Sequence, residues 1–195
     1  MPLILPKTGT FEMEEKRSKF LGCCAPVQTE AEARAFIAEI RAMHQGANHN
    51  VFAYSVTESN IIRFSDDGEP GGTAGMPVLN VFQKAGMINF VCVVTRYFGG
   101  TLLGAGGLVR AYTKTAKGAM EDADPEELVI FKWYRVTCTY PHLDRVKYNF
   151  DKLGIETLEW EYTDQCQVVV RVSADQDEAF LEGNFYVIGN CCRNS

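Results

Sequence analysis

The sequence predicts an α+β protein of two domains, residues 1–124 and 125–195, and three observations point there. The chain has 195 residues, 46% of them apolar, enough for a real core and too long for one minimal domain. The acidic run Glu121-Asp122-Ala123-Asp124-Pro125-Glu126-Glu127 is polar and cannot continue a helix, which marks a boundary. Beyond it the apolar pattern restarts in the order β-α-β-β-α-β, that of a small ferredoxin-like sandwich.

Taken in order, residues 10–27 read as two short strands around the polar Lys16-Arg17-Ser18-Lys19, the second carrying Cys23 at a sheet edge. Thr29 opens a helix, because its hydroxyl can accept the backbone N–H three residues on while Glu32 reaches back. Phe36, Ile37 and Ile40 supply that helix with a buried stripe, and Gly46 offers a left-handed exit. A strand over 51–56 and a hairpin partner over 61–64 follow, joined by the turn Glu58-Ser59-Asn60. Val78, Leu79 and Phe82 have helical spacing, with Pro77 tolerated in the first turn.

Phe90-Val91-Cys92-Val93-Val94 is apolar without alternation, as expected of a strand covered on both faces. A longer helix begins within 104–107 and runs to about Asp122, with Val109, Tyr112, Thr113 and Ala116 directed inward. In the second domain a strand over 133–140 precedes a helix with Leu143, Val146, Phe150 and Leu153 on one side and Gly154 at its end. Leu158, Trp160 and Tyr162 then alternate against Glu159 and Glu161, and Val168, Val170 and Val172 answer them across a hairpin. A helical segment around 177–182 and an apolar run over 185–188 complete the order. The ending 189–195 is short for a finished domain, so the fold is expected to be clipped there.

With 25 acidic and 19 basic side chains, a net charge of −6 argues against a whole-protein footprint on nucleic acid and leaves a local basic patch open. The 7 cysteines form no C-x-x-C, and an odd count without a signal peptide favours reduced thiols in the cytoplasm. No run approaches the roughly 20 apolar residues that span a bilayer, so no membrane partner is expected.

Chemistry concentrates in two glycine-rich loops. The first, residues 63–75, holds Asp66, Asp67, Glu69 and Thr73. Its carboxylates are close enough to share a hard cation, but the spacing is not that of a calcium loop, and a solvated turn or an ion pair with an arginine are the other readings. No metal and no cofactor are expected. The second loop follows the apolar strand with Arg96, Tyr97, Phe98, Gly99 and Gly100, then Gly104, Gly106 and Gly107 at a helix start. It suits an anion, since glycines admit close backbone approach and a helix start offers free N–H groups; equally, the glycines permit a tight turn. Downstream, Arg110, Lys114 and Lys117 line one helix face, either as a nucleic-acid-facing stripe or as a solvated surface paired with Glu121. Exposed rings at Tyr97 and Phe98 would let a base stack. No nucleophile, base and orienting group are partnered in the sequence, no G-x-S-x-G occurs, and His49 reads as a hydrogen-bonded structural histidine, so no enzyme is expected.

These residues carry a resemblance. His49-Asn50-Val51-Phe52-Ala53-Tyr54, the loop Asp66-Asp67-Gly68-Glu69-Pro70 with Gly72-Thr73-Ala74-Gly75 and Pro77, and Val93-Val94-Thr95-Arg96-Tyr97-Phe98-Gly99-Gly100 with Leu103-Gly104-Ala105-Gly106-Gly107-Leu108-Val109-Arg110-Ala111-Tyr112 closely resemble the IMPACT/YigZ family. Lys16, Ser18 and Phe20 fit the family's start. The bacterial two-domain type of this family implies an N-terminal α/β sandwich like domain IV of elongation factor G, and a C-terminal ferredoxin-like domain. Eukaryotic members regulate translation initiation by competing for an activator of the amino-acid-starvation kinase. The resemblance departs at Val51, where a small polar residue or cysteine is common, and at Gly71, where serine is frequent. From residues and resemblance together, the expectation is a cytoplasmic binding protein contacting RNA, the ribosome or a translation factor through both loops and the basic helix. The rival is an enzyme acting on a phosphorylated small molecule or nucleotide with the same loops.

Overall fold

A computed structural model describes residues 1–181 and the backbone of 182 and 187–190. The chain divides into two compact units, Met1–Leu128 and Val129–Ser195. In the first, β2 (Gly9–Glu15), β3 (Ser18–Pro26), β4 (His49–Val56), β5 (Ile61–Ser65) and β6 (Phe90–Tyr97) form an antiparallel sheet in the order β2-β3-β6-β4-β5. A short β1 (Leu3–Ile4) pairs with β7 (Glu126–Glu127), so the residues just past the acidic break belong to this unit.

Helices cover both faces of the sheet. α1 (Glu30–Met43) packs Ala33, Ile37 and Ile40 against Val91 and Val93 of the central strand. On the other face α2 (Gly75–Lys84) and α3 (Ala105–Asp122) enclose Phe90, Cys92 and Val94 with Val78, Phe82, Leu108 and Tyr112. Alternate residues of β6 thus enter two different cores, which is why its sequence shows no alternation. The N-terminus of α1 is a variant of the capping box: Thr29 Oγ1 accepts the Glu32 N–H at 3.2 Å, and Glu32 Oε2 reaches one residue further back, accepting the Gln28 N–H at 2.7 Å.

Three local expectations change. Cys23 is not on an edge strand, because β2 takes the edge and β3 lies between β2 and β6. Gly46 is not the left-handed exit of α1; the helix ends at Met43, and the His44 N–H closes it on Ile40 O at 3.0 Å with φ −116°. The buried stripe of α3 is Leu108, Ala111, Tyr112, Thr115, Ala116 and Ala119, while Val109 is 37% exposed and borders, with Thr113, a groove toward α2. Small side chains bring this helix close to β2 and β3, a gain that a pattern built on large apolar residues does not register.

The second unit contains β8 (Phe131–Cys138), α4 (Leu143–Leu153), β9 (Glu156–Tyr162), β10 (Cys166–Ser173), α5 (Asp177–Glu182) and β11 (Val187–Asn190). Its antiparallel order β11-β8-β10-β9 places the first and third strands at the centre, as a ferredoxin-like sandwich requires. Tyr134, Val136, Val146, Phe150, Val168, Val170 and Phe180 form its core, and Gly154 ends α4 at φ +65°. Of the alternating β9 residues only Trp160 packs on that core; Leu158 and Tyr162 are 47% and 51% exposed, on an edge strand whose register shifts between Val168 and Val170. In the expected final run, Phe185 and Tyr186 lie outside the described residues, as do residues 191–195.

Candidate functional site

Each carboxylate of the first loop has its own partner. Asp66 accepts the backbone N–H groups of Gly72 at 2.8 Å, Ala74 at 3.0 Å and Gly75 at 2.8 Å, which folds the loop onto the start of α2. Burial alone would raise its carboxyl pKa, and the three donors outweigh that, holding it below the usual carboxylate value. Asp67, at φ +44°, accepts the Asn50 N–H at 2.6 Å and Arg41 at 2.7 Å. Thr73 donates its hydroxyl to Pro70 O at 2.7 Å, closing the same turn.

Glu69 is 8% exposed, and its Oε1 accepts both Arg96 Nη1 at 2.6 Å and the Tyr112 hydroxyl at 2.7 Å. Arg96 is itself 4% exposed, lies 5.4 Å from the ring centroids of both Phe20 and Phe98, and donates Nη2 to Ser18 Oγ at 3.3 Å. Burial first, then the carboxylate beside it, push the Tyr112 phenol pKa upward. Of the three acidic groups, then, Glu69 is the one that pairs with Arg96. The guanidinium Nη1 and Nη2 are engaged inside the fold, while its buried Nε has no hydrogen-bond partner among the described residues.

His49 Nδ1 lies 2.8 Å from the carbonyl oxygen of Asp67. A carbonyl can only accept, so Nδ1 carries a proton, and Nε2 is an acceptor in the neutral ring and a second donor in the charged one. Nε2 stands 3.9 Å from Glu69 Oε2. Both atoms belong to residues lining a cleft of about 370 Å³. Its walls come from both glycine loops: Glu69 and Pro70 on one side, Phe98 and residues 102–105 on the other, with Asn48, Arg96 and Leu108 completing it. Phe98 is 43% exposed, and its N–H is held by Asn48 Oδ1 at 2.8 Å.

Tyr97 departs from Phe98; its hydroxyl lies 3.0 Å from His44 Nδ1, at the α1 end. Gly99 is fixed by close packing, since a Cβ there would sit 2.0 Å from the Arg17 carbonyl oxygen. Gly100 and Gly104 both have positive φ, and Gly104 begins α3 with no side-chain cap. Gly106 and Gly107 occupy its first turn. Arg110, Lys114 and Lys117 are exposed; Lys117 pairs with Glu121 at 3.5 Å, while Arg110 and Lys114 line a second groove of about 230 Å³ with Lys16, Glu15, Gly107 and Leu103, three cations against one carboxylate. Leu103 is common to groove and cleft. The sequence reading had the loops and the basic face; it lacked Asn48, Ser18 and the hydroxyl of Tyr112, polar groups whose partners lie across the sheet.

A layered α/β unit with two convergent glycine loops, followed by a ferredoxin-like unit, defines the class of protein. Residues 16–120 match the Impact N-terminal domain, and residues 136–182 match a domain of unknown function, DUF1949. The IMPACT family member YvyE of Bacillus subtilis is 34% identical over 90% of this chain and 82% of its own. The IMPACT family member YigZ of Escherichia coli is 32% identical over 87% and 84%. A crystal structure described as that of a hypothetical protein aligns over 96% of both chains, with 29% identity and a TM-score of 0.63. The chain belongs to the IMPACT family. Among the described residues, no helix is long and apolar enough to cross a membrane.

Proposed function

We propose that this protein is a non-enzymatic cytoplasmic binding protein associated with translation, which contacts RNA, on the ribosome or free, through the glycine-loop face of its first unit. The observation that carries the reading is the exposed pair Arg110 and Lys114, which with Lys16 lines a groove beside the cleft in a chain of net charge −6. A basic groove on an acidic protein concentrates attraction for a polyanion at one place. The resemblance to a family whose eukaryotic members regulate translation initiation supports the link to translation. Thr73, Asp66 and Asp67 serve by holding the first loop in shape, and the uncapped start of α3 adds backbone N–H groups.

Fluorescence anisotropy with a labelled single-stranded RNA tests this. Affinity should fall steeply with salt, and Arg110→Ala and Lys114→Ala should each weaken binding and lower the slope of log K against log salt by about 1. Binding that ignores both substitutions, or no binding at low salt, rejects the reading. Arg96→Ala is an unsuitable probe, because it removes the partner of a buried carboxylate.

A further inference from the structure

The cleft between the loops has a chemistry that a phosphate groove lacks. Its floor offers two hydrogen-bond acceptors, His49 Nε2 and Glu69 Oε2, 3.9 Å apart. That separation is too long for a bond between them and short enough for one donor group with two hydrogens to reach both. The surrounding bonds orient both groups: His49 Nδ1 donates to Asp67 O, which leaves Nε2 as the acceptor of the neutral ring, and Glu69 Oε1 is taken by Arg96, which leaves Oε2 toward the cleft. Around them the lining is mostly apolar, with Asn48 and Arg96 as its other polar members, and the half-exposed Phe98 ring forms one side.

We propose that this cleft receives one unpaired nucleobase bearing an exocyclic amino group, stacked on Phe98, with its amine shared between His49 Nε2 and Glu69 Oε2. This rests on the RNA reading above and adds to it a subsite and a base preference. The volume of about 370 Å³ lies within the range of small-ligand sites. Stacking on an exposed ring is the usual way a single strand is held, and the neighbouring basic groove, sharing Leu103, takes the adjoining phosphates. Uracil is disfavoured because it presents carbonyl oxygens to two acceptors and has no amine to offer. A lysine side chain would satisfy the same pair of acceptors, but the Arg110 and Lys114 groove repels a cationic peptide.

The test is an amide chemical-shift titration of the full chain at pH 8 with cytidine, adenosine and uridine separately, and with Nα-acetyl-lysine amide. Cytidine and adenosine should shift the amides of Asn48, Phe98 and Leu103, with uridine weaker by roughly three- to tenfold, the worth of one or two hydrogen bonds. Phe98→Ala should remove nucleoside binding, and His49→Phe should reduce the preference for cytidine over uridine, each in a protein with a cooperative thermal melt. Equal response to all nucleosides, no response, or a response to the lysine amide alone overturns the base subsite. Salt-dependent binding of RNA without any nucleoside response overturns the subsite and leaves the RNA reading standing. Nucleoside selectivity in a protein that does not bind RNA rejects the RNA reading and keeps the subsite.

Discussion

Glu69 and Arg96 are each nearly sealed from water, so each is tolerable only because the other is there. Glu69→Gln keeps the shape and removes the compensating charge, leaving a buried guanidinium facing a neutral amide. The expected loss is about 3 kcal/mol in urea unfolding, toward the low end for breaking a buried pair because the amide oxygen still accepts one bond. Asp66 acts through protonation instead. Its carboxyl pKa is lowered in the fold, so the native state binds fewer protons than the unfolded one. Its contribution is fully present above the unfolded value of about 4 and is lost as pH falls through the lower native value. Asp66→Asn should therefore cost about 1–2 kcal/mol at pH 7, and the gap to wild type should narrow when the urea midpoints are measured at successively lower pH through and below 4. At this scale local chemistry was legible: Thr29 and Glu32 cap a helix because they stand three residues apart. A partner for Arg96 among the loop carboxylates was legible too, but its choice of Glu69, 27 residues away, depends on how β6 lies beside the loop.

At the scale of elements, the β2–β3 hairpin turns through Lys16 and Arg17, at φ +47° and +67°. Glu15 pairs directly with Ser18, so this is a two-residue loop with both central residues left-handed, the setting in which asparagine and glycine are favoured. Lys16→Asn with Arg17→Gly should raise stability by about 1 kcal/mol, read as a shift in urea midpoint with unchanged slope. Lys16 also lines the basic groove, so the same variant should bind RNA less well. Stability and function pull this turn in opposite directions. The sequence disclosed the turn's polarity without its handedness, because no glycine or asparagine marks it. It was similarly blind to the rotation of α3, where alanine and threonine do the packing that Val109 and Thr113 were expected to do. By contrast the unbroken apolar run Phe90-Val91-Cys92-Val93-Val94 of β6 announced its two-sided burial outright.

For the whole molecule, each unit has a hydrophobic core of its own, and the division at Leu128 predicts that the first folds without the second. Where the fragment is cut decides how well. The acidic run, taken as a composition break, sets the boundary after Asp124, yet Glu126 and Glu127 pair with Ile4 and Leu3, and the Leu128 N–H bonds to Pro2 O at 2.9 Å. Leu3 is also tied to Gly86 and Ile88 by backbone bonds of 3.0 and 2.9 Å, and Leu5 beside it is 2% exposed. A fragment 1–124 keeps that second attachment and loses the first. Both fragments should therefore fold, 1–128 the more stable by about 1–2 kcal/mol, the net worth of two or three backbone hydrogen bonds less the cost of ordering the added residues. Urea unfolding of the two fragments side by side measures the difference. Equal midpoints would mean that β7 only rests on the unit, whereas failure of 1–128 to unfold cooperatively would mean that the first unit needs the second to complete its fold.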